Sequence, residues 1–167
     1  VPITHGVEES VKEIYALADK PGIKGIMIPT MWHDAESYGH EKYDPIWQAC
    51  HETGLVVHTH SGEADAEAYN ENMAQYMLEV AFWTHRPLWQ FLLSGKFDKY
   101  PNFKYVPVEC GSWWLGDLLW KTDVMFGGTN WKVQKMSSRT KGLIERLPSE
   151  YVGENVFIGA STMSRVE

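Results

Sequence analysis

Four short apolar runs, separated by stretches of helical periodicity, constrain the fold of this chain more than any other feature. They are Gly25-Ile26-Met27-Ile28-Pro29, Leu55-Val56-Val57-His58-Thr59-His60, Phe103-Lys104-Tyr105-Val106-Pro107-Val108-Glu109 and Asn155-Val156-Phe157-Ile158-Gly159. Each has the length of a strand, is rich in β-branched or aromatic residues, and is bounded by turn residues. Pro107 has no N–H to give a ladder, so a bulge or irregularity is expected there. Residues 7–17 carry Val7, Val11, Ile14 and Tyr15 at helical spacing, and Asp19-Lys20-Pro21-Gly22 ends that helix. Asp44-Pro45 opens a second helix, with Asp44 as the cap and proline in the first turn. Residues 67–93 read as one long helix broken near Arg86-Pro87, because proline disfavours helical geometry in the residue before it. Shorter helices are expected over residues 113–124 and 139–147.

Strand–helix–strand order with buried strands means a parallel sheet, either doubly wound or closed as a barrel. No glycine-rich phosphate loop follows any of the strands, which weakens a nucleotide-binding sheet. A chain of 167 residues is long enough for one domain with a core. It has no apolar run of about eighteen residues, so no transmembrane helix is expected. The start, Val1-Pro2-Ile3-Thr4-His5, has no initiator Met and no signal-peptide pattern, so the chain reads as an internal segment of a longer protein. The formal net charge of −7, with no basic block, argues against nucleic acid or an anionic membrane as partner. The two cysteines, Cys50 and Cys110, are far apart and read as reduced core residues of a cytoplasmic protein. Most of the eight tryptophans, and the Met and Trp residues between Met73 and Trp89, read as packed helix faces.

Polar groups collect where the runs end. The second ends in His58-Thr59-His60-Ser61-Gly62-Glu63, the third in Glu109-Cys110-Gly111-Ser112-Trp113-Trp114, and the fourth in Gly159-Ala160-Ser161-Thr162. In parallel α/β barrels that edge carries the active site. His58 and His60 lie two apart and so face the same way on a strand, and neutral imidazole is a good ligand for a divalent metal. The alternative for either is a buried histidine that merely finds hydrogen-bond partners, and His58, one residue pair deeper, fits that alternative better. Glu109 closes a mostly apolar strand, where a carboxylate needs a partner or a metal. An acid/base role is the first reading and a strand-end ion pair the second. His33 and His40 sit in the loop after the first strand, where they contact either substrate or solvent. His51, at a helix end, reads as a surface residue favoured by the helix dipole, and Arg86, beside His85, as a helix-surface ion pair.

The segment His85-Arg86-Pro87-Leu88-Trp89-Gln90-Phe91-Leu92-Leu93-Ser94-Gly95-Lys96-Phe97-Asp98-Lys99-Tyr100-Pro101-Asn102-Phe103-Lys104, running into Val108-Glu109-Cys110-Gly111, resembles the amidohydrolase-2 family. That group is related to aminocarboxymuconate-semialdehyde decarboxylase. Gly22-Ile23-Lys24-Gly25-Ile26, the run from Leu55 to Gly62, and Leu147-Pro148-Ser149-Glu150-Tyr151 leading into the fourth run resemble it as well. The resemblance implies that residues 1–167 form one partial (β/α)8 TIM-barrel domain holding roughly strands four to seven, with residues 1–4 ending the third. It implies a divalent metal, zinc first, bound by His60 on strand five, with His58 the second candidate. Glu109 falls where some decarboxylases of the group have a catalytic histidine. The family's first-strand H-x-H and eighth-strand aspartate have no match here. The implied activity is that of a parent enzyme, a metal-dependent hydrolase or decarboxylase of a small organic acid or amide, aromatic in some cases. Glu109 would be its acid/base group or a carboxylate that orients a metal ligand, and Trp113, Trp114 and His33 would line its substrate pocket. The rival readings are an inert barrel fragment or binding module that needs the missing strands, and a metal-free lyase on the same fold. A half-open sheet favours self-association into a homo-oligomer.

Overall fold

Three of the four apolar runs pair in parallel. β1 (Gly25–Met27), β2 (Val56–Thr59) and β3 (Tyr105–Pro107) lie in the order β1-β2-β3 in a computed structural model that describes residues 1, 3–30, 36–60, 69, 72–127 and 144–159. Ile26 stands beside Val57 and Val57 beside Tyr105, while Met27, His58 and Val106 form the next row. Side chains alternate along a strand, so these rows face opposite ways. Ile26, Val57 and Tyr105 are buried under the helices. Gly25, Val56, His58 and Val106 are half-buried on the other face, and Met27 there is 52% exposed.

The fourth run joins β3 without forming a regular strand. Tyr105 N–H donates to Asn155, Phe157 N–H to Tyr105, and Gly159 N–H to Pro107. The bond that would complete this ladder needs an N–H on Pro107, and proline has none. Two isolated parallel bridges remain, Tyr105 with Val156 and Val108 with Gly159. Their register is the same on both sides of the proline, so the expected irregularity is a gap in the ladder and not a bulge. The end of a preceding strand, expected over residues 1–4, is absent among the described residues. The Val1 amino group donates to the Met27 carbonyl, and Ile3–His5 form a 3-10 turn.

The helices follow the sequence with four corrections. α1 (Val7–Ala18) ends as expected, and α2 (Asp44–Thr53) stops at Gly54, whose φ of 70° only glycine adopts readily. Asp44 is the first helical residue and not the cap; its carboxylate pairs with buried Lys96 and, at 2.6 Å, with Lys99. α3 (Met73–Leu92) runs unbroken through Pro87. The buried face of Val80, Ala81, Thr84, Leu88 and Phe91 holds it together where one backbone bond is lost. Thr84, in that interrupted turn, has its carbonyl tied to the sheet by the hydroxyls of Thr59 (2.7 Å) and Tyr105 (3.3 Å). Met73 and Met77 lie on the outer face of α3, 66% and 62% exposed, so they do not pack as expected. α4 (Lys96–Lys99) is a single turn, and α5 spans Leu115–Gly127. The helix expected over residues 139–147 falls partly outside the described residues, and the described part is not helical: a 3-10 turn at Pro148–Tyr151 follows it.

The core is aromatic. Trp47, fully buried, meets Phe91 edge-on at 4.9 Å and stacks on Phe103 at 5.3 Å between ring centroids. Trp113 and Trp120, by contrast, are 60% and 66% exposed. Cys50 and Cys110 are buried free thiols, as expected, and burial pushes the Cys50 thiol up to about 12. No described helix is long and apolar enough to cross a membrane.

Candidate active site

His60 and Glu109 meet at the carboxyl edge of the sheet. His60 follows β2 directly, and Glu109 lies two residues past β3. The Nε2 of His60 stands 2.6 Å from the Oε2 of Glu109, both side chains about half exposed. Strict alternation would not bring them together. The register sets His58 beside Val106 and so His60 level with Val108, which sends Glu109 toward the helix side. The chain leaves strand geometry at that residue. Glu109 has a φ of 59°, the left-handed region, and is the one non-glycine residue to do so among those described. Such a backbone costs about 1–3 kcal/mol. A solvent-exposed ion pair returns at most about 1 kcal/mol. The pair therefore does not hold Glu109 in place unaided.

The surrounding turn does more. The Trp114 indole N–H donates to the carbonyls of Cys110 (2.9 Å) and Gly111 (3.0 Å). Gly111 also has a positive φ, 62°. The Trp114 ring stacks on His85 of α3, with centroids 3.7 Å apart and planes inclined by 11°. His85 was expected at a helix break beside a surface ion pair. It is buried instead, 6% exposed, and its Nδ1 makes no well-aligned hydrogen bond. Burial pulls its imidazole down to about 4, and the nearby Ala81 backbone offsets only part of that. The spacing of Ala81, His85, Leu88 and Leu92 marks one buried helix face, the signal from which this position could have been found.

The other expected residues are placed as follows. The His58 ring lies over Gly25, where an added Cβ would come within 2.7 Å of its Nε2. Burial lowers its proton affinity, and a hydrogen bond with the Val106 backbone opposes this. Trp113, four residues after Glu109, is exposed, whereas Trp114 is held by its carbonyl partners and His85. His40 Nδ1 accepts from Lys42 N–H at 3.2 Å, and His51 Nδ1 accepts from Asn102 N–H at 3.0 Å, so both have local structural roles. His33 lies outside the described residues. Thr59, unremarked in the sequence, faces the helices between the two histidines, with its hydroxyl 2.5 Å from that of Tyr105.

A divalent metal would find one imidazole nitrogen and one carboxylate oxygen converging here, both donor types that such ions accept. A catalytic zinc site needs three protein ligands. No group of three His, Cys, Asp or Glu side chains among the described residues could hold an ion. His60 thus fits a metal as one member of a ligand set, with the Glu109 carboxylate beside it.

Residues 1–140 match the sequence model of the amidohydrolase family. The chain belongs to the amidohydrolase-2 family. The motifs around Gly95 to Lys104 and Glu109 to Gly111 fall within the matched residues. No curated protein matches the chain. Among solved structures, 5-carboxyvanillate decarboxylase from Sphingomonas paucimobilis is similar with a TM-score of 0.68 and 21% identity, over 92% of this chain and 45% of that one. The 5-carboxyvanillate decarboxylase of Novosphingobium aromaticivorans, solved with manganese and 3-methoxy-4-hydroxy-5-nitrobenzoic acid, gives 0.69 and 22%, over 93% and 44%. Dihydroxybenzoic acid decarboxylase from a Polaromonas species, with manganese and 2-nitroresorcinol, gives 0.65 and 18%, over 92% and 47%. The likeness is one of fold. The parallel sheet with its helices corresponds to part of a TIM-barrel-type α/β architecture, and the chain spans under half the length of each of these three proteins.

Proposed function

We propose that the whole protein containing this chain is a metal-dependent enzyme that removes a carboxyl group from, or hydrolyses, a small organic acid, with aromatic acids the first class to test. The contact between His60 and Glu109 at the carboxyl edge of the sheet carries this reading. The manganese and nitroaromatic ligands of two similar decarboxylases support it.

In this proposal His60 contributes one nitrogen to a divalent metal, manganese or zinc, completed by donors beyond those described. The metal would supply a Lewis acid that orients the carboxylate-bearing substrate. Glu109, within hydrogen-bonding distance of His60, holds a proton at its carboxyl oxygen and delivers it to the ring carbon. The carbon–carboxylate bond then breaks, carbon dioxide leaves, and solvent restores the proton to Glu109. Its half-exposed position gives that exchange a route. In the hydrolytic version, Glu109 instead takes a proton from water and passes it to the leaving group. The exposed Trp113 ring offers a wall for a planar substrate.

The test uses the full-length protein with 2,6-dihydroxybenzoate and 5-carboxyvanillate as probes and carbon dioxide release as the readout. His60→Ala should lower both bound metal and turnover. Glu109→Gln should keep the metal and reduce kcat by about 10²–10⁴-fold. Full activity and unchanged metal content in His60→Ala would defeat the assignment. Activity that survives a chelator would favour a metal-free lyase.

A further inference from the structure

We propose that Trp114 is a positioning residue for Glu109 and that buried His85 holds Trp114 in place. The inference rests on the proton-transfer role given to Glu109 above. The contact that Glu109 makes with His60 requires a backbone conformation that a residue with a Cβ resists. The next two peptide carbonyls, of Cys110 and Gly111, are both tied to one indole N–H. Leu115 N–H bonds the Ser112 carbonyl at 2.9 Å, so the turn passes straight into α5. With those carbonyls fixed, the peptide leaving Glu109 has little freedom to rotate back toward strand geometry.

The indole can act this way only if its ring is fixed. The nearly parallel stack on His85 supplies that, and His85 is itself wedged edge-on between Trp89 (5.4 Å) and Phe82 (5.9 Å). An apolar side chain would fill this site without burying a ring nitrogen that makes no well-aligned hydrogen bond, so packing alone does not account for a histidine. A flat ring at stacking distance does. The residue just before it completes the picture. Thr84 accepts from Thr59, the neighbour of His60. Adjacent residues of α3 thus fix both halves of the contact from behind, Thr84 through Thr59 and His85 through Trp114.

The test is a thermal-unfolding cycle in the full-length protein with Trp114→Phe, Glu109→Gly and the double variant. Glycine adopts a φ near 60° unaided. If Trp114 holds Glu109, Trp114→Phe lowers Tm by less in the parent than beside Glu109→Gly, by about 2 °C or more, because releasing Glu109 recovers its backbone strain and glycine has none to recover. Equal losses in both backgrounds mean ordinary packing and overturn the proposal. A crystal structure of Trp114→Phe should show Glu109 out of the left-handed region and its contact with His60 broken; an unchanged contact also overturns it. If Trp114→Phe fails to fold, His85→Leu serves. It removes the ring on which Trp114 stacks and should release Glu109 in a folded protein, and an undisturbed Glu109 there counts against the proposal. None of these readouts uses substrate or metal, so they fail or succeed separately from the activity of Glu109→Gln.

Discussion

The imidazole of His85 sits against three aromatic rings, those of Phe82, Trp89 and Trp114, none of which carries charge. Arg86, its neighbour in sequence, lies over Trp83 instead. Protonating His85 in the native state therefore means placing a cation among apolar groups, and its pKa falls from 6.5 to about 4. The sign of the stability effect follows. Above pH 6.5 the ring is neutral whether the chain is folded or not, and His85 contributes no pH dependence. Between pH 6.5 and about 4 the unfolded chain takes up a proton that the native protein refuses, so stability falls as the pH drops. One pKa unit corresponds to about 1.4 kcal/mol, and the whole window to roughly 3 kcal/mol. Urea midpoints measured across that window should decline in the parent and decline less in His85→Leu. Parallel curves would show that His85 does not titrate in the way its burial demands.

At the scale of elements, β1 and β2 approach so closely that their shared face admits no side chain at Gly25. A Cβ there would lie 2.7 Å from the Val56 carbonyl oxygen and 2.7 Å from His58 Nε2. The ring can swing aside, but the carbonyl belongs to the strand that ends in His60. Gly25→Ala should cost about 1–3 kcal/mol, the usual penalty for overfilling a packed site. It should also move the His58 imidazole resonances in an NMR spectrum; a variant with parental stability and unmoved His58 signals would refute the close packing. The strands themselves were legible because apolar runs of strand length alternate with helical spacing, and so was the edge on which His60 and Glu109 lie. Their contact was not legible. Alternation sends Glu109 to the wrong face, and only its left-handed backbone returns it, a conformation that a Glu code does not announce. Proline misled in α3, because the local preference of Arg86-Pro87 lost to a long buried helix face. At Pro107 the same chemistry was read correctly, since a ladder hydrogen bond has no tertiary substitute for a missing N–H.

At the scale of the whole molecule, the sheet is covered on one face only by the described residues. Parallel sheets in folded proteins are covered on both, because their strands are apolar throughout. Here Ile26, Val57 and Tyr105 lie beneath the helices, while the opposite face presents Met27, 52% exposed, and, in register with Val106, Phe157, 40% exposed. In the similar decarboxylases this chain corresponds to less than half of the structure. The 167-residue polypeptide made alone should therefore associate through that face, since an apolar surface of this kind seeks cover. Its net charge of −7 opposes association by mutual repulsion. The two effects separate by salt. Added salt shortens the range of the repulsion, with a Debye length of about 10 Å at 0.1 M and 3 Å at 1 M, and leaves the apolar attraction in place. Sedimentation velocity should show larger species as either concentration or salt rises. Met27→Lys should shift the distribution back toward monomer, because it places a cation on the face to be buried, at a cost that no gain in net charge balance offsets. A polypeptide that stays monomeric at every salt concentration, or whose association ignores Met27→Lys, would mean that this face is not what drives the chains together.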